Sequence, residues 1–342
     1  MKVLLYSDNL EMIYKSGLGR AIQHQKKALE LAGVEYTLDK NDDFDILHIN
    51  TYFIESYNFA KKAKKNGKKI VYHAHSTEED FRNSFVLSNQ VAPFFKKWIM
   101  ACYKLGDVII TPTPYSKNIL MGYGLEPPIY AISNGIEIKK FKKNIKLGQQ
   151  FRKKYNYSKE DKVIVSIGMF IERKGIVDFV ELAKRLPEYK FIWFGHTSLS
   201  TVSKNVRDAV TTKLDNLLFP GYVPSNEIMG ALSGADLYIF PTYEETEGIV
   251  LIEAFACSIN ALIRDIGVFD GWLEDGVNVY KAKDIDEFEI KIKKILTGEL
   301  PSLVKEGRKV AEERDLTIIG NQLKHVYDNV MQLDKDIKFY QE

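Results

Sequence analysis

Glu245 and Glu253 stand eight residues apart in FPTYEETEGIVLIEAFA, residues 240–256. Residues 237–240 form an apolar run that Pro241 stops, which reads as a buried parallel strand. Residues 249–256 read as a helix opening after Gly248. One carboxylate therefore lies in a loop at a strand's carboxyl end, and the other two turns further on, inside the helix start. Ligands of open α/β sheets bind at that edge. The helix N-terminus adds unpaired N–H groups and partial positive charge suited to a phosphate. Two carboxylates gripping hydroxyls beside amides holding a diphosphate outline a nucleotide-sugar site.

Three further constellations sit at strand ends. Arg173 and Lys174 follow the apolar run 163–168 and precede Gly175, so a planar guanidinium fork and a compact ammonium are offered to a diphosphate. His73 and His75 follow the run 70–72. A strand-end imidazole orients or polarises a hydroxyl near pH 7, and of the two His73 is the one expected to pack or cap. No third ligand comes at zinc-like spacing, so a metal site is not expected. Ser16-Gly17-Leu18-Gly19-Arg20 lies between the first strand and its helix, where Gly17 and Gly19 allow close backbone approach to an anion. It lacks the third glycine and the tight spacing of a dinucleotide fingerprint.

The elements that must position these groups alternate strand and helix through the chain's 342 residues. Apolar runs at 3–6, 46–50, 70–73, 108–111 and 129–132 interleave with helices near 20–32, 56–65 and 91–105. After the charged stretch 139–162, with one short helix near 147–155, a second series runs through 163–168, 191–195, 217–220, 237–240 and 261–264. Helices occupy about 286–330. This pattern implies two parallel sheets with both faces covered, hence an α/β chain of two Rossmann-like domains facing a cleft. We place the domains at 1–143, facing acceptor and membrane, and 144–320, binding the nucleotide sugar, with 321–342 as a C-terminal helix or tail returning to the first.

The net charge of +2 hides an asymmetry: 22 Lys+Arg against 15 Asp+Glu in residues 1–150 (+7), and 26 against 31 in 151–342 (−5). The first half thus suits an anionic partner. Phe94-Phe95-Lys96-Lys97-Trp98 mixes aromatics with lysines, as an element lying on an anionic bilayer does. The six lysines within 61–69 read as a solvated face. A charge of +2 and the lack of any nucleic-acid module argue against nucleic acid. Cys102 and Cys257 read as buried thiols in a reducing compartment. No stretch reaches the ~18 apolar residues of a membrane span, so the expectation is a cytoplasmic protein, peripheral at the inner membrane face.

These motifs in this order resemble the retaining glycosyltransferases of family 4, of GT-B fold, over essentially the whole length. The resemblance rests on Glu245-TEGIVLI-Glu253, an E-x7-E motif, with the Ser16–Arg20 glycine loop, Asn134-Gly135-Ile136 and Arg173-Lys174-Gly175. It implies that Arg173 and Lys174 hold the donor diphosphate, Glu253 the ribose, and Glu245 the transferred sugar. Amides around Gly248, Ile249 and Val250 complete those contacts, His75 touches a sugar hydroxyl, and Gly17 and Gly19 approach the phosphate. The usual E-G-F-G becomes Glu245-Thr246-Glu247-Gly248, which alters the sugar pocket.

HAHSTEEDFRNSF (73–85) and the basic aromatic helix are similar to bacterial diglycosyl-diacylglycerol synthases. That likeness implies hexose transfer, glucose or galactose, from a UDP-sugar to a monoglycosyl-diacylglycerol, with no obligatory cofactor and Mg2+ at most a stimulant. A soluble acceptor, or nucleotide binding without catalysis, are the alternatives.

Overall fold

The computed structural model describes residues 1–9, 11 and 16–339, and the side chains of 333–339 are left aside. It divides into two units: one comprises Met1–Glu78, Ala92–Glu137 and the chain from Arg314 onward, the other Glu79–Val91 and Ile138–Glu313. The boundaries thus fall at 137 and 313, where 143 and 320 were expected. The charged stretch 139–162 contains a helix, Ile145–Lys154, that belongs to the second unit.

The first unit is a six-stranded, wholly parallel sheet of order β2-β1-β3-β4-β5-β6. Its strands are β1 (Lys2–Tyr6), β2 (Glu35–Thr37), β3 (Ile46–Ile49), β4 (Lys69–His73), β5 (Val108–Thr111) and β6 (Ile129–Ala131). Neighbouring residues of a strand point to opposite faces. Leu4, Leu47, Ile70 and Ile109 therefore enter one core with Ile99 and Tyr103. Val3, Ile46, Val71 and Ile110 enter the other, with Leu316, Ile319, Leu323 and Tyr327 of the C-terminal helix Leu316–Phe339. β2 escapes sequence reading because its three edge residues are exposed or half-buried and carry no apolar run. The C-terminal helix packs on the helix Gly17–Leu31 so closely that a Cβ at Gly320 would overlap the Ala28 carbonyl.

The second unit is another six-stranded parallel sheet, β12-β11-β10-β7-β8-β9. Its strands are β7 (Val163–Ile167), β8 (Lys190–Phe194), β9 (Leu217–Gly221), β10 (Leu237–Phe240), β11 (Ala261–Arg264) and β12 (Tyr280–Ala282). β7, β10 and β11 are buried along their whole length, as strands covered on both faces must be. Counted from β7, the spatial order is 6-5-4-1-2-3, the doubly wound Rossmann order read from the far edge. β12, a short edge strand, was not expected. Cys102 and Cys257 are free and buried.

Candidate active site

In a doubly wound sheet, the two strands flanking the point where the order reverses splay their following loops to opposite sides and leave a crevice. In the second unit those strands are β7 and β10, and the loops that follow them are 168–175 and 241–248. They carry Arg173, Lys174, Glu245 and Gly248. After β7 a 3₁₀ turn, Glu172–Lys174, ends at Gly175 with φ 75°. A Cβ there would overlap the Pro241 carbonyl oxygen, so only glycine lets the two loops meet.

The loops are then laced together. Tyr243 N–H donates to Arg173 O at 2.8 Å, and the Thr242 hydroxyl to Arg173 O at 3.2 Å. Arg173 Nη1 donates to Glu244 O at 2.7 Å and lies 4.0 Å from Glu245 Oε2. Lys174 Nζ forms an ion pair with Glu245 Oε1. Burial pushes the Lys174 ammonium below its ordinary pKa, the Glu245 carboxylate pulls it back up, and the Arg173 charge again lowers it. Glu253 is fully buried in the helix Ile249–Ala256, whose N-cap Gly248 has φ 93°. The Tyr238 hydroxyl is buried without a partner. Its pKa is raised far above the usual phenol value by burial first, then by Glu245 and Glu253, so both carboxylates bear on one point. Two cations and two carboxylates thus converge where the strand order reverses.

Sequence reasoning missed three members of this assembly. Ser84 and Asn83 belong to the second unit: Ser84 Oγ accepts from Arg173 Nε at 3.2 Å, and Asn83 O from Arg173 N–H at 3.2 Å. Asp80 acts electrostatically on Lys174. The signal lies in the HAHSTEEDFRNSF stretch, whose sequence points to its histidines and to a family likeness but not to Asp80, Asn83 or Ser84 as site residues.

In the first unit the order reverses between β1 and β3. Ser16 Oγ accepts the Gly19 N–H at 3.3 Å as N-cap of the helix Gly17–Leu31. Gly17 and Gly19 are thus the first turn of a helix, where a loop was expected; residues 10 and 12–15 of that loop lie outside the described residues. A side chain at Gly17 would meet nothing within 4 Å, while Gly19 is buried.

His48, His73 and His75 form a graded stack. His73 and His75 rings lie 4.1 Å apart and 1° from parallel, and His48 and His73 5.3 Å and 13°. His48 Nδ1 is 2.6 Å from the Tyr327 hydroxyl and its Nε2 3.1 Å from His73 Nδ1. Burial, with a lesser contribution from His75, pushes His48 down to about 3; burial alone does the same for His75, and burial with the two neighbours holds His73 well below its usual value. All three rings are neutral at physiological pH. His73 packs, as expected of it. His48, inside a strand that reads as purely structural, was not foreseen, nor was Asn50.

The helix Ser88–Tyr103 corrects the expected membrane face. Trp98 Nε1 donates to Tyr52 O at 2.6 Å, and Phe95 packs edge-on to Tyr52. Lys96 pairs with Glu78 at 3.3 Å and lies over the Tyr123 ring. Only Phe94 of the three aromatics is exposed, at 71%; Val91 (47%) and Lys97 of the same helix are exposed too, as is Leu87 (63%), which just precedes it. The helix turns Phe95 and Trp98 inward because it must close a core, and it leaves Val91 and Phe94 outward.

Paired Rossmann-like units, each with its own switch point, define the GT-B class, and solved structures agree. Anabaena HepE in complex with UDP and glucose matches with TM-score 0.76 at 16% identity, over 96% of this chain and 100% of that one. Sucrose-phosphate synthase of Thermosynechococcus elongatus matches with TM-score 0.69 at 18% identity, over 85% and 74%. The family model "Glycosyltransferase Family 4" matches residues 19–140, and "Glycosyl transferases group 1" residues 149–314. The processive diacylglycerol alpha-glucosyltransferase of Acholeplasma laidlawii is 40% identical over 336 residues, 98% of this chain and 100% of its own. The alpha-galactosylglucosyldiacylglycerol synthase of Streptococcus pneumoniae is 25% identical over 67% of this chain and 63% of its own. The chain belongs to the glycosyltransferases of this family.

Proposed function

We propose that this enzyme transfers a hexose from a UDP-sugar to a glycosylated diacylglycerol at the inner face of a membrane, with retention of anomeric configuration. The observation that carries the reading is the convergence of Arg173, Lys174, Glu245 and Glu253 at the switch point of the second sheet. Likeness to glycolipid glucosyltransferases supports the lipid acceptor.

Without donor, Lys174 and Glu245 neutralise one another. An arriving diphosphate replaces Glu245 as the partner of Lys174, and the released carboxylate accepts hydrogen bonds from hydroxyls of the transferred sugar. Arg173 is already fixed by Ser84 and Glu244, so it meets the phosphates with little further loss of side-chain freedom. Charge growing on the departing UDP is then stabilised by these two cations and by the N–H groups at Gly248, Ile249 and Val250. Glu253 takes the ribose hydroxyls. From the first unit His75 contacts a sugar hydroxyl, and Gly17 offers its N–H to a phosphate at the helix start, where Gly19, its own N–H held by Ser16 Oγ, lets the backbone come close. The two protein cations carry the electrostatic work, so UDP-sugar is the one small molecule the reaction requires and Mg2+ only modulates it.

No described helix is long and apolar enough to cross a membrane. A peripheral contact through Leu87, Val91, Phe94 and Lys97 brings an apolar stripe and a cation to an anionic lipid surface. The test crosses UDP-glucose and UDP-galactose with monoglycosyl-diacylglycerol in anionic vesicles and with soluble sugar acceptors, with and without EDTA. Transfer to the vesicle acceptor, in EDTA as well, is expected. Transfer only to soluble acceptors would overturn the lipid assignment.

A further inference from the structure

The first unit's sheet carries, at the carboxyl ends of β3 and β4, a hydrogen-bonded set behind His75 whose other members the reaction outlined above leaves unused. Asn50 directly follows β3 and is 2% exposed; Gln25, on the helix Gly17–Leu31, is 3% exposed. Gln25 Nε2 donates to Asn50 Oδ1 at 2.7 Å and approaches His73 Nδ1 at 3.0 Å. The same Asn50 oxygen lies 2.9 Å from Nε2 of His75. An amide oxygen can only accept. The imidazole must therefore bring the proton to this contact, and in a neutral ring the other nitrogen, Nδ1, is then an acceptor.

Two features hold Asn50 in that orientation. Rotating its amide by 180° would set Nδ2 against the Gln25 amide nitrogen, two donors face to face. Gln25 in turn is turned toward Asn50 and His73 by its nitrogen, leaving its own Oε1 buried without a partner. Stacking of His73 on His75, 4.1 Å between centroids, fixes the ring plane. Rotation about the last side-chain bond is thus resisted from both sides. Buried polar atoms left unpaired cost more than an ordinary hydrogen bond contributes. The unpaired Nδ2 of Asn50, Oε1 of Gln25 and Nε2 of His73 mark a site held in a set arrangement for a purpose other than its own stability.

We propose that Asn50, oriented by Gln25, is a positioning residue that fixes His75 as the Nε2–H tautomer, so that Nδ1 faces the substrate as a hydrogen-bond acceptor. Nδ1 makes no hydrogen bond among the described residues. The group it recognises is then a donor, a sugar hydroxyl, and an acceptor-only substituent such as fluorine cannot replace it. This rests on the reading that His75 touches a sugar hydroxyl; the tautomer itself stands apart from that reading and is measured apart from it.

The experiment is side-chain 1H–15N correlation spectroscopy of the histidines, with His75 assigned by its loss in His75→Ala, in the wild-type chain, Asn50→Leu and Asn50→Asp. Wild type is expected to show His75 with a bonded proton on Nε2 and a bare Nδ1. Asn50→Asp keeps an acceptor in place and keeps that pattern. Asn50→Leu, of similar volume, is expected to mix the tautomers and to lower kcat about tenfold, the size of one lost hydrogen bond, with UDP affinity unchanged. Unchanged UDP affinity also reports that the chain has folded. A protonated Nδ1 in the wild type, or an unaltered His75 spectrum in Asn50→Leu, overturns the proposal. If the tautomer behaves as stated yet His75→Ala turns over normally, the positioning holds and the sugar contact of His75 is what fails.

Discussion

His48 and His73 are 0% and 2% exposed, and both, with His75 stacked on His73, are held neutral by burial. In the unfolded chain each would titrate near 6.5, whereas the folded values lie far lower. The unfolded state therefore binds protons first as pH falls, and stability is complete above about pH 7 and lost progressively below it. Between pH 7.5 and 5.5 each ring costs the folded state about 1.4 kcal/mol, so the three cost about 4 kcal/mol. Carboxylates titrate mostly below this window, which isolates the imidazoles. The perturbation is His48→Gln, which removes one ring and keeps a polar group beside Tyr327. Hydrogen exchange of the most protected amides of β3 and β4, corrected for intrinsic rates, reports the opening free energy of the first unit alone. The wild-type value is expected to fall by about 4 kcal/mol between the two pH values, and the variant's by about two thirds as much. A wild-type value that does not change, or a variant that loses as much as the wild type, would refute the claim that the stack is buried neutral.

Arg173→Ala and Lys174→Ala should each weaken UDP binding by roughly 1.5–3 kcal/mol in calorimetry, as loss of a desolvated charge-assisted contact does; unchanged affinity in both would remove the diphosphate assignment. Glu253→Ala should impair binding of both UDP and UDP-sugar, whereas Glu245→Ala should leave UDP affinity near normal and reduce turnover. The opposite pattern in binding and kinetics would exchange their roles. Leu87→Asp combined with Phe94→Asp should abolish sedimentation with anionic vesicles while UDP affinity stays unchanged, and persisting vesicle binding would move the docking surface to the lysines of the helix Ile54–Lys65.

How much of this was legible follows from what each element had to bury. β7, β10 and β11 are covered on both faces, so their apolar runs stand out from the charged helices between them. The edge strands β2 and β12 have three residues each and carry too little apolar sequence to be seen. Arg173, Lys174, Glu245 and Glu253 stand out because polar residues crowded into two short loops and the helix that follows one of them leave a dense local signal. Ser84 lay 89 residues from Arg173, and distance in sequence hides a contact that only the fold makes.

Asn50, Gln25 and His48 were hidden for a different reason. Each occupies a position that a structural reading fills: a strand end, a helix face and a strand interior. In a sheet covered on both faces such positions are ordinarily apolar, because an unpaired polar atom there costs about 1–3 kcal/mol. His48 alternates with Leu47 and Ile49 and points, as they do, into the interior, yet it is a hydrogen-bonding ring. A polar residue inside an otherwise apolar parallel strand therefore carries information that periodicity discards. Its partner, Tyr327, lies 279 residues away, on the C-terminal helix. That helix thus supplies the far end of the chain Tyr327–His48–His73 against which the His75 ring stacks. Local crowding makes the proposed donor residues of one unit legible, whereas the histidine stack of the other is held by residues drawn from nearly the whole length of the chain.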